Sequence, residues 1–249
     1  MLGLDASMIT VSTAVLLLAG FVKGIVGLAL PIITVGLLSS FLPVPIVLAI
    51  VILPIVFANL WQAISTGHVF VAVRRFWLVI ICLMTTLWFS AKLVVALDAN
   101  TLYGIVGAAI VLFSVSSAIP SVPALPPRLE KWVGPLAGAL GGFLGGVSAI
   151  WAPPVMIFYV MLKLPKDDFI RATALSWFCA SIPMALAHTR TGVLTFETAK
   201  LSLAACVPVL VGLWLGERVR NRIDQEMFRK LLLLTTFLIG LNLIRRAVF

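Results

Sequence analysis

The chain has 249 residues, 62% of them hydrophobic and 11% charged, with a mean hydropathy of +1.18 and a net charge of +9. That much apolar surface exceeds what one soluble core of this length can bury, so a soluble domain is excluded and a polytopic membrane protein in a lipid bilayer is expected. The basic residues fall between apolar stretches, where they control topology, and no nucleic-acid partner is expected.

In chain order, the first segment, about 7 to 40, is apolar but broken by Gly20, Gly24, Gly27 and Pro31. Its leading charge is Asp5 rather than a basic residue, and no small-x-small site precedes a soluble domain, so it reads as retained rather than as a signal peptide. Apolar stretches near 45 to 65, 76 to 97 and 101 to 119 follow, each about 20 residues and long enough to span. Pro120, Pro123, Pro126 and Pro127 then mark a linker, taken as 120–133. A second broken segment, about 134 to 162, precedes spans near 168 to 188, 197 to 216 and 228 to 246. The expected organisation is therefore an N-terminal unit, 1–119, and a C-terminal unit, 134–249.

The two units repeat one another. Gly20-Phe21-Val22-Lys23-Gly24, ending at Pro31, recurs as Gly142-Phe143-Leu144-Gly145-Gly146, ending at Pro153, and the offset of 122 runs without a gap to Ala63 against Ala185. Nine identities in these 44 positions are modest for so biased a composition, but helix breakers coincide, which chance does not favour. Ser65-Thr66-Gly67 then matches Arg190-Thr191-Gly192 after three inserted residues, and Trp88 matches Trp214.

Positive charge separates two topologies. If both broken segments cross fully as kinked helices, eight basic residues fall on each side and no orientation results. If each is a hairpin turning back at membrane depth, Arg74, Arg75, Arg128, Lys131, Lys163, Lys166, Arg218, Arg220, Arg222, Arg229 and Lys230 share one side. Lys92, Arg190, Lys200, Arg245 and Arg246 occupy the other, and eleven against five obeys the positive-inside rule. The expected fold is then all-α, two inverted repeats, each a Gly/Pro-broken re-entrant or hairpin segment plus three transmembrane helices. Both termini face away from the cytoplasm. Irregular backbone survives at membrane depth only inside protein or beside a water-filled cavity, so the hairpin tips are expected to meet at the centre.

A hairpin tip exposes the N-terminus of its returning half-helix, with free N–H groups and a partial positive charge, and two facing tips would make an anion site. Gly24, Gly27 and Gly146 permit close backbone approach there. Ser148 and Trp151 add a hydroxyl and an indole N–H, unless the first back-bonds to its own helix and the second only packs. Asn59 and Ser181 hold equivalent positions in the two repeats, and Gln62 shares the helical face of Asn59. Lys23 is the one cation deep in the first segment, with Gly145 as its counterpart, and either attracts an anion or caps the turn. Ser176 is a further candidate, Arg171 reads as an interfacial partner of Asp167 and Asp168, and His188 stands opposite Thr66 near its helix end. All nine carboxylates fall in or beside loops, so an anion suits the centre better than a cation. Cys82, Cys179 and Cys206 lack metal-ligand spacing, and no cofactor is expected.

At GFVKGIVGLALP and GGFLGGVSAIWAPP, with four segments per half, the chain resembles the sulfite exporter TauE/SafE family of membrane permeases across essentially its whole length. The resemblance implies transport of small organosulfur or related anions, such as sulfite or sulfonates, in a prokaryotic inner membrane, and it allows a homodimer. Lys23 before Gly24 and Trp151 before Pro153-Pro154 depart from the common pattern and bear on the substrate. A passive anion channel and a membrane-embedded enzyme are the competing readings. The enzyme lacks a paired acid, a His/Cys cluster or a Ser/His/Asp set.

Overall fold

The protein, seen in a computed structural model, is described for residues 6–67, 73–118 and 122–248. All regular structure among the described residues is helical: α1 (Ala6–Val26), α2 (Leu30–Leu38), α3 (Val44–Thr66), α4 (Val73–Ser90), α5 (Leu93–Ala96), α6 (Ala99–Ala118), α7 (Pro127–Ser148), α8 (Ala152–Met161), α9 (Lys166–Arg190), α10 (Phe196–Val219) and α11 (Gln225–Val248). Prolines start rather than break several of them. Pro31 stands in the first turn of α2 and Pro153 in that of α8, where the missing N–H has no intrahelical partner to lose. Pro127 likewise opens α7 inside the stretch expected as linker, with Glu130 in its first turn. Among the described residues seven helices are long and apolar enough to cross a membrane, α4 and α5 together counting as one. α7 begins with Arg128, Glu130 and Lys131, and α2 and α8 are about 13 and 15 Å long, half a bilayer core.

Exchanging the two halves reproduces the main pattern of neighbours, although α6 packs on α7 and α2 more closely than α11 packs on α1 and α8. α1 packs on α10 as α7 packs on α4; α3 lies on α10 as α9 lies on α4; α2 touches α11 as α8 touches α6. The pairs α3 with α9 and α6 with α11 map onto themselves. Each hairpin therefore docks on the other half of the molecule.

Close contacts give the helix directions. Gly20 faces Val209 and Gly24 faces Leu213, so α1 and α10 advance together; Gly138 faces Val79 and Gly142 faces Leu83, so α7 and α4 do too. α3 also runs with α10, since the Leu53 amide donates to Ser202 Oγ at 3.0 Å near their starts and Trp61 Nε1 donates to Glu217 Oε1 at 3.2 Å near their ends. A chain leaving the end of α1 for the start of a parallel α3 must come back, and α2 is that return. In the second half the return is seen contact by contact: Gly145 meets Trp151, Gly141 meets Val155 and Gly134 meets Phe158 as α8 descends α7. The broken segments are hairpins.

These directions gather the start of α4, the start of α7, the end of α8 and the end of α10 at one end of the bundle. Arg75 pairs there with Glu130 at 2.9 Å, and the Leu125 amide donates to the Met161 carbonyl at 2.9 Å. At the opposite end Arg190 stacks on Trp88, and Arg246 donates to the Ser39 carbonyl at 2.7 Å. The eleven basic residues grouped by the hairpin topology all belong to the first end, hereafter the basic end.

Two glycine-lined seams hold the frame. A Cβ at Gly20 or Gly24 would strike the backbone of Val209 or Leu213, and one at Gly212 or Gly216 the backbone of Leu17 or Phe21. On α7, Gly138, Gly142 and Gly146 abut the backbone of α4 in the same way. Such small-xxx-small spacing lets helices approach closely in lipid, where apolar burial offers no drive for association. Pro54 frees the Ile50 carbonyl within α3, and Ser202 Oγ of α10 donates to it at 3.0 Å. Gly142→Leu should therefore cost at least about 3 kcal/mol and abolish monodisperse elution and the unfolding transition, because the obstacle is backbone. Gly104→Ala, whose new Cβ would meet Ala247 at an ordinary 3.5 Å, should leave both unchanged.

Candidate functional site

Each hairpin tip is three residues of non-helical backbone built the same way. The Gly27 amide donates to the Lys23 carbonyl at 2.7 Å with φ 79°, and the Ala149 amide donates to the Gly145 carbonyl at 2.8 Å with φ 59°. Ala29, at φ 80°, adds a second left-handed residue in the first tip, a conformation that costs an alanine of order 1 kcal/mol and persists because packing imposes it. Beyond the tips, Pro31, Pro153 and Pro154 carry no N–H, so the unpaired amides of the first turns are those of Leu30 and Ile32 on α2 and Ala152 on α8, and the positive ends of the two helix dipoles point inward.

The tips meet. Leu28 to Ile32 from one and Ala149 to Ala152 from the other line a cavity of about 30 Å³, closed by Lys23, Ile55, Asn59 and Trp177. A second cavity, of about 170 Å³, continues from Lys23 past Gln62, Thr66 and Thr173 to Glu217 and Arg220 at the basic end. Gly24 and Gly27 line this larger cavity, and Trp177 lines both. The passage thus runs from the molecular centre to one end of the bundle.

Lys23 sits at the junction, 5% exposed, in the last turn of α1. Its Nζ donates to Asn59 Oδ1 at 2.8 Å and to Gln62 Oε1 at 3.0 Å. Asn59 Nδ2 in turn donates to the Trp177 carbonyl at 3.2 Å, tying α3 to α9 across the two halves. An ammonium has three N–H groups, and two are spent on neutral amide oxygens. No carboxylate among the described residues lies within ion-pairing distance of it. Glu217, the acid on the cavity wall, is hydrogen-bonded by Trp61 instead. The buried amine is held by amide dipoles, and no carboxylate offsets the charge it carries when protonated.

The sequence-derived candidates divide into two sets. Lys23, Gly24, Gly27, Asn59, Gln62 and Trp151 come together on these two cavities, Trp151 with its ring 6.4 Å from that of Trp177. Ser148, Ser181 and Gly146 line neither. Ser148 Oγ donates to the Leu144 carbonyl at 2.7 Å and accepts the Ile150 amide at 3.2 Å, so it shapes the second tip. Ser181, the repeat equivalent of Asn59, donates to the Phe178 carbonyl at 2.7 Å, and Gly146 abuts α4. Ser176 is shared between Tyr159 Oη at 2.7 Å and the Ala172 carbonyl, and Arg171 pairs with Asp168 at 3.3 Å as an interfacial residue. Trp177 and Thr173 were not legible as site residues. Their counterparts are Ile55 and Val51, so the duplication carries no signal for them, and only their place one and two helical turns before Ser181 could have pointed to them.

A family model described as sulfite exporter TauE/SafE matches residues 12–243. The chain belongs to this family of membrane transporters. No curated protein and no solved structure gave a match. The match covers both hairpins and all the helices that carry the cavities, so the site lies within the part of the chain the family shares.

Asn59→Asp tests whether the charge at the junction matters apart from its geometry. The substitution is isosteric, keeps an acceptor for Lys23 and gives the ammonium a carboxylate. It should lower the affinity for a small anion at least tenfold, read by calorimetric titration in detergent, with the unfolding temperature kept within a few degrees.

Proposed function

We propose that this member of the TauE/SafE family is a secondary permease for a small organosulfur or related anion, such as sulfite or a sulfonate. Substrate binds between the two repeats at the Lys23 junction. The observation that carries the reading is the buried Lys23 ammonium, held by two amide oxygens with no carboxylate partner, where a passage ends against two inward-pointing half-helix N-termini. Uncompensated charge inside a membrane protein is costly and marks a place where the opposite charge arrives. An anion entering there gains the Lys23 ammonium through its third N–H and the amides of Leu30, Ile32 and Ala152, and each is worth more away from water.

Helix directions and charge support an inverted arrangement. The first repeat begins at one end of the bundle and the second at the other, and eleven basic residues share the end at which the larger cavity opens. By the positive-inside rule that end is cytoplasmic, in the inner membrane of a prokaryotic cell. Substrate is exchanged by alternating access: one repeat rocks against the other around a fixed site, as inverted-repeat carriers do.

The test is purified protein in proteoliposomes, with flux and thermal stabilisation measured for sulfite, sulfoacetate, taurine, sulfate, acetate and chloride. Saturable, counterflow-competent uptake of a sulfur oxyanion is expected, with Lys23→Met reducing it at least tenfold and Lys23→Arg retaining part of it. Flux that rises without saturation would identify a passive channel instead. Sulfur oxyanions that neither stabilise the folded protein nor cross the vesicle would overturn the substrate class.

A further inference from the structure

The cavity that opens at the basic end has a counterpart in the other repeat, and the counterpart is shut. Helices α3 and α9 are continuous to Thr66 and Arg190, so in the structure the offset of 122 holds to the last turn of α3 and the three inserted residues fall in the extra turn of α9 before Gly192. This replaces the match of Ser65 with Arg190 and Thr66 with Thr191, and pairs Gly24 with Gly146, Val26 with Ser148, Ser65 with Ala187 and Thr66 with His188. Met156, on α8, corresponds to Thr34 on α2. For the docking helices, the pairs Gly20 with Val209 and Gly142 with Leu83 set the correspondence, so Glu217 corresponds to Ala91. The first member of every pair lines the open cavity. Every second member is buried, with Ser148, His188, Ala91 and Thr34 fully so and Ala187 at 2% exposure.

The shut half is not an ordinary apolar core. His188 is wholly buried with the Gly146 backbone as the hydrogen-bonding group that faces its ring, which leaves at least one ring nitrogen unserved. Thr34 Oγ is buried with no partner either. Buried polar groups in native structures are paired with few exceptions, and an orphan calls for an explanation. Packing of the glycine seams explains Gly146, but not why a histidine and a threonine stand at positions of a closed interior. Water reaching them in another state does.

We infer that Thr34, Ser148, Ala187 and His188 line a second access path from the Lys23 junction to the end opposite the basic one, closed here and opened when the cavity at Ser65 and Thr66 closes. The inference rests on the alternating-access reading above and adds to it the residues of the unseen state. Two halves that share their main helix pairings can exchange roles: the second adopts the packing of the first, and the first that of the second. His188 then occupies the place that Thr66 holds on the wall of the open cavity, and its freed ring nitrogens offer a hydrogen bond to water or to the departing anion. Asymmetry between equivalent halves is what stores the direction of opening.

Single cysteines report the two paths. In full-length protein with Cys82, Cys179 and Cys206 replaced by alanine, Ser65→Cys samples the open path and Ala187→Cys the closed one; Met184, the buried counterpart of Gln62 on the open cavity, gives a second reporter as Met184→Cys should Ala187→Cys fold poorly. Each is reconstituted and labelled from either face with a membrane-impermeant thiol reagent, with and without sulfoacetate. Ser65→Cys should label from the basic face. Ala187→Cys should label from the opposite face only, and sulfoacetate supplied there should change the two rates in opposite directions, each at least threefold. If Ser65→Cys still responds to sulfoacetate while transport-active Ala187→Cys and Met184→Cys are reached from neither face, the carrier stands and this path is overturned. If both positions label at once from their own faces whatever the substrate, the passage is continuous, and the alternating-access reading falls with it.

Discussion

Backbone against backbone is the contact on which this architecture depends. In lipid, side-chain apolarity gives helices little reason to choose one neighbour over another, so shape and close approach decide. The α1 and α10 seam and the α7 and α4 seam achieve that approach with glycine, and each joins a hairpin to the other half of the chain. Neither hairpin is supported by its own repeat alone. Because each seam is parallel, it also fixes the sense in which the hairpin enters, and from that sense follow the return of α2 and α8 and the meeting of the tips.

The tips could not otherwise exist. Six non-helical residues, among them Gly27, Ala29 and Ala149 at positive φ, carry peptide groups that lipid would leave unsolvated. Brought together at the centre, they need only a small cavity between them, and their exposed amides acquire a use. The same residues therefore explain both a structural requirement and an electrostatic one. Lys23 is the asymmetric element in this otherwise repeated plan: Gly145 stands at its counterpart, so the site has one ammonium rather than two facing each other. Two would repel at such a distance, and one leaves the larger cavity electropositive on the side where Gln62 and Asn59 can steady it.

Much of the frame was legible in the sequence because helix breakers are strong local signals. Gly24, Pro31 and Pro43, recurring as Gly146, Pro153 and Pro165, announced the hairpins, and charge counting chose them over kinked spans. The site was less legible. Asn59 and Ser181 are equivalent by position, yet Asn59 reaches across to Lys23 and the Trp177 carbonyl while Ser181, one bond shorter in reach, folds back on its own helix. Ser148 likewise spends its hydroxyl locally. Whether a serine in a helix serves its own backbone or a ligand depends on what faces it, and no pattern along the chain records that. Trp177 was hidden for a related reason, since its function comes from tertiary placement and its counterpart is an aliphatic residue.

On the proposed alternating-access reading, divergence between the two halves gives the site its polarity. A perfectly repeated chain would have two equal half-passages and no preference between them. Here the half built from the first tip carries Lys23, Gln62, Ser65 and Thr66 and is open, while the half built from the second carries Gly145, Met184, Ala187 and His188 and is packed. The polar set lowers the cost of admitting water, and the more apolar set favours close packing, so under the proposed mechanism the difference in side chains would bias which path opens at rest. His188 and Thr34 work against that packing from within, as polar groups that the closed state leaves unserved. A bias set by one group of residues and opposed by another is a small difference between two arrangements, and a bound anion that neutralises Lys23 is of the right kind to change it.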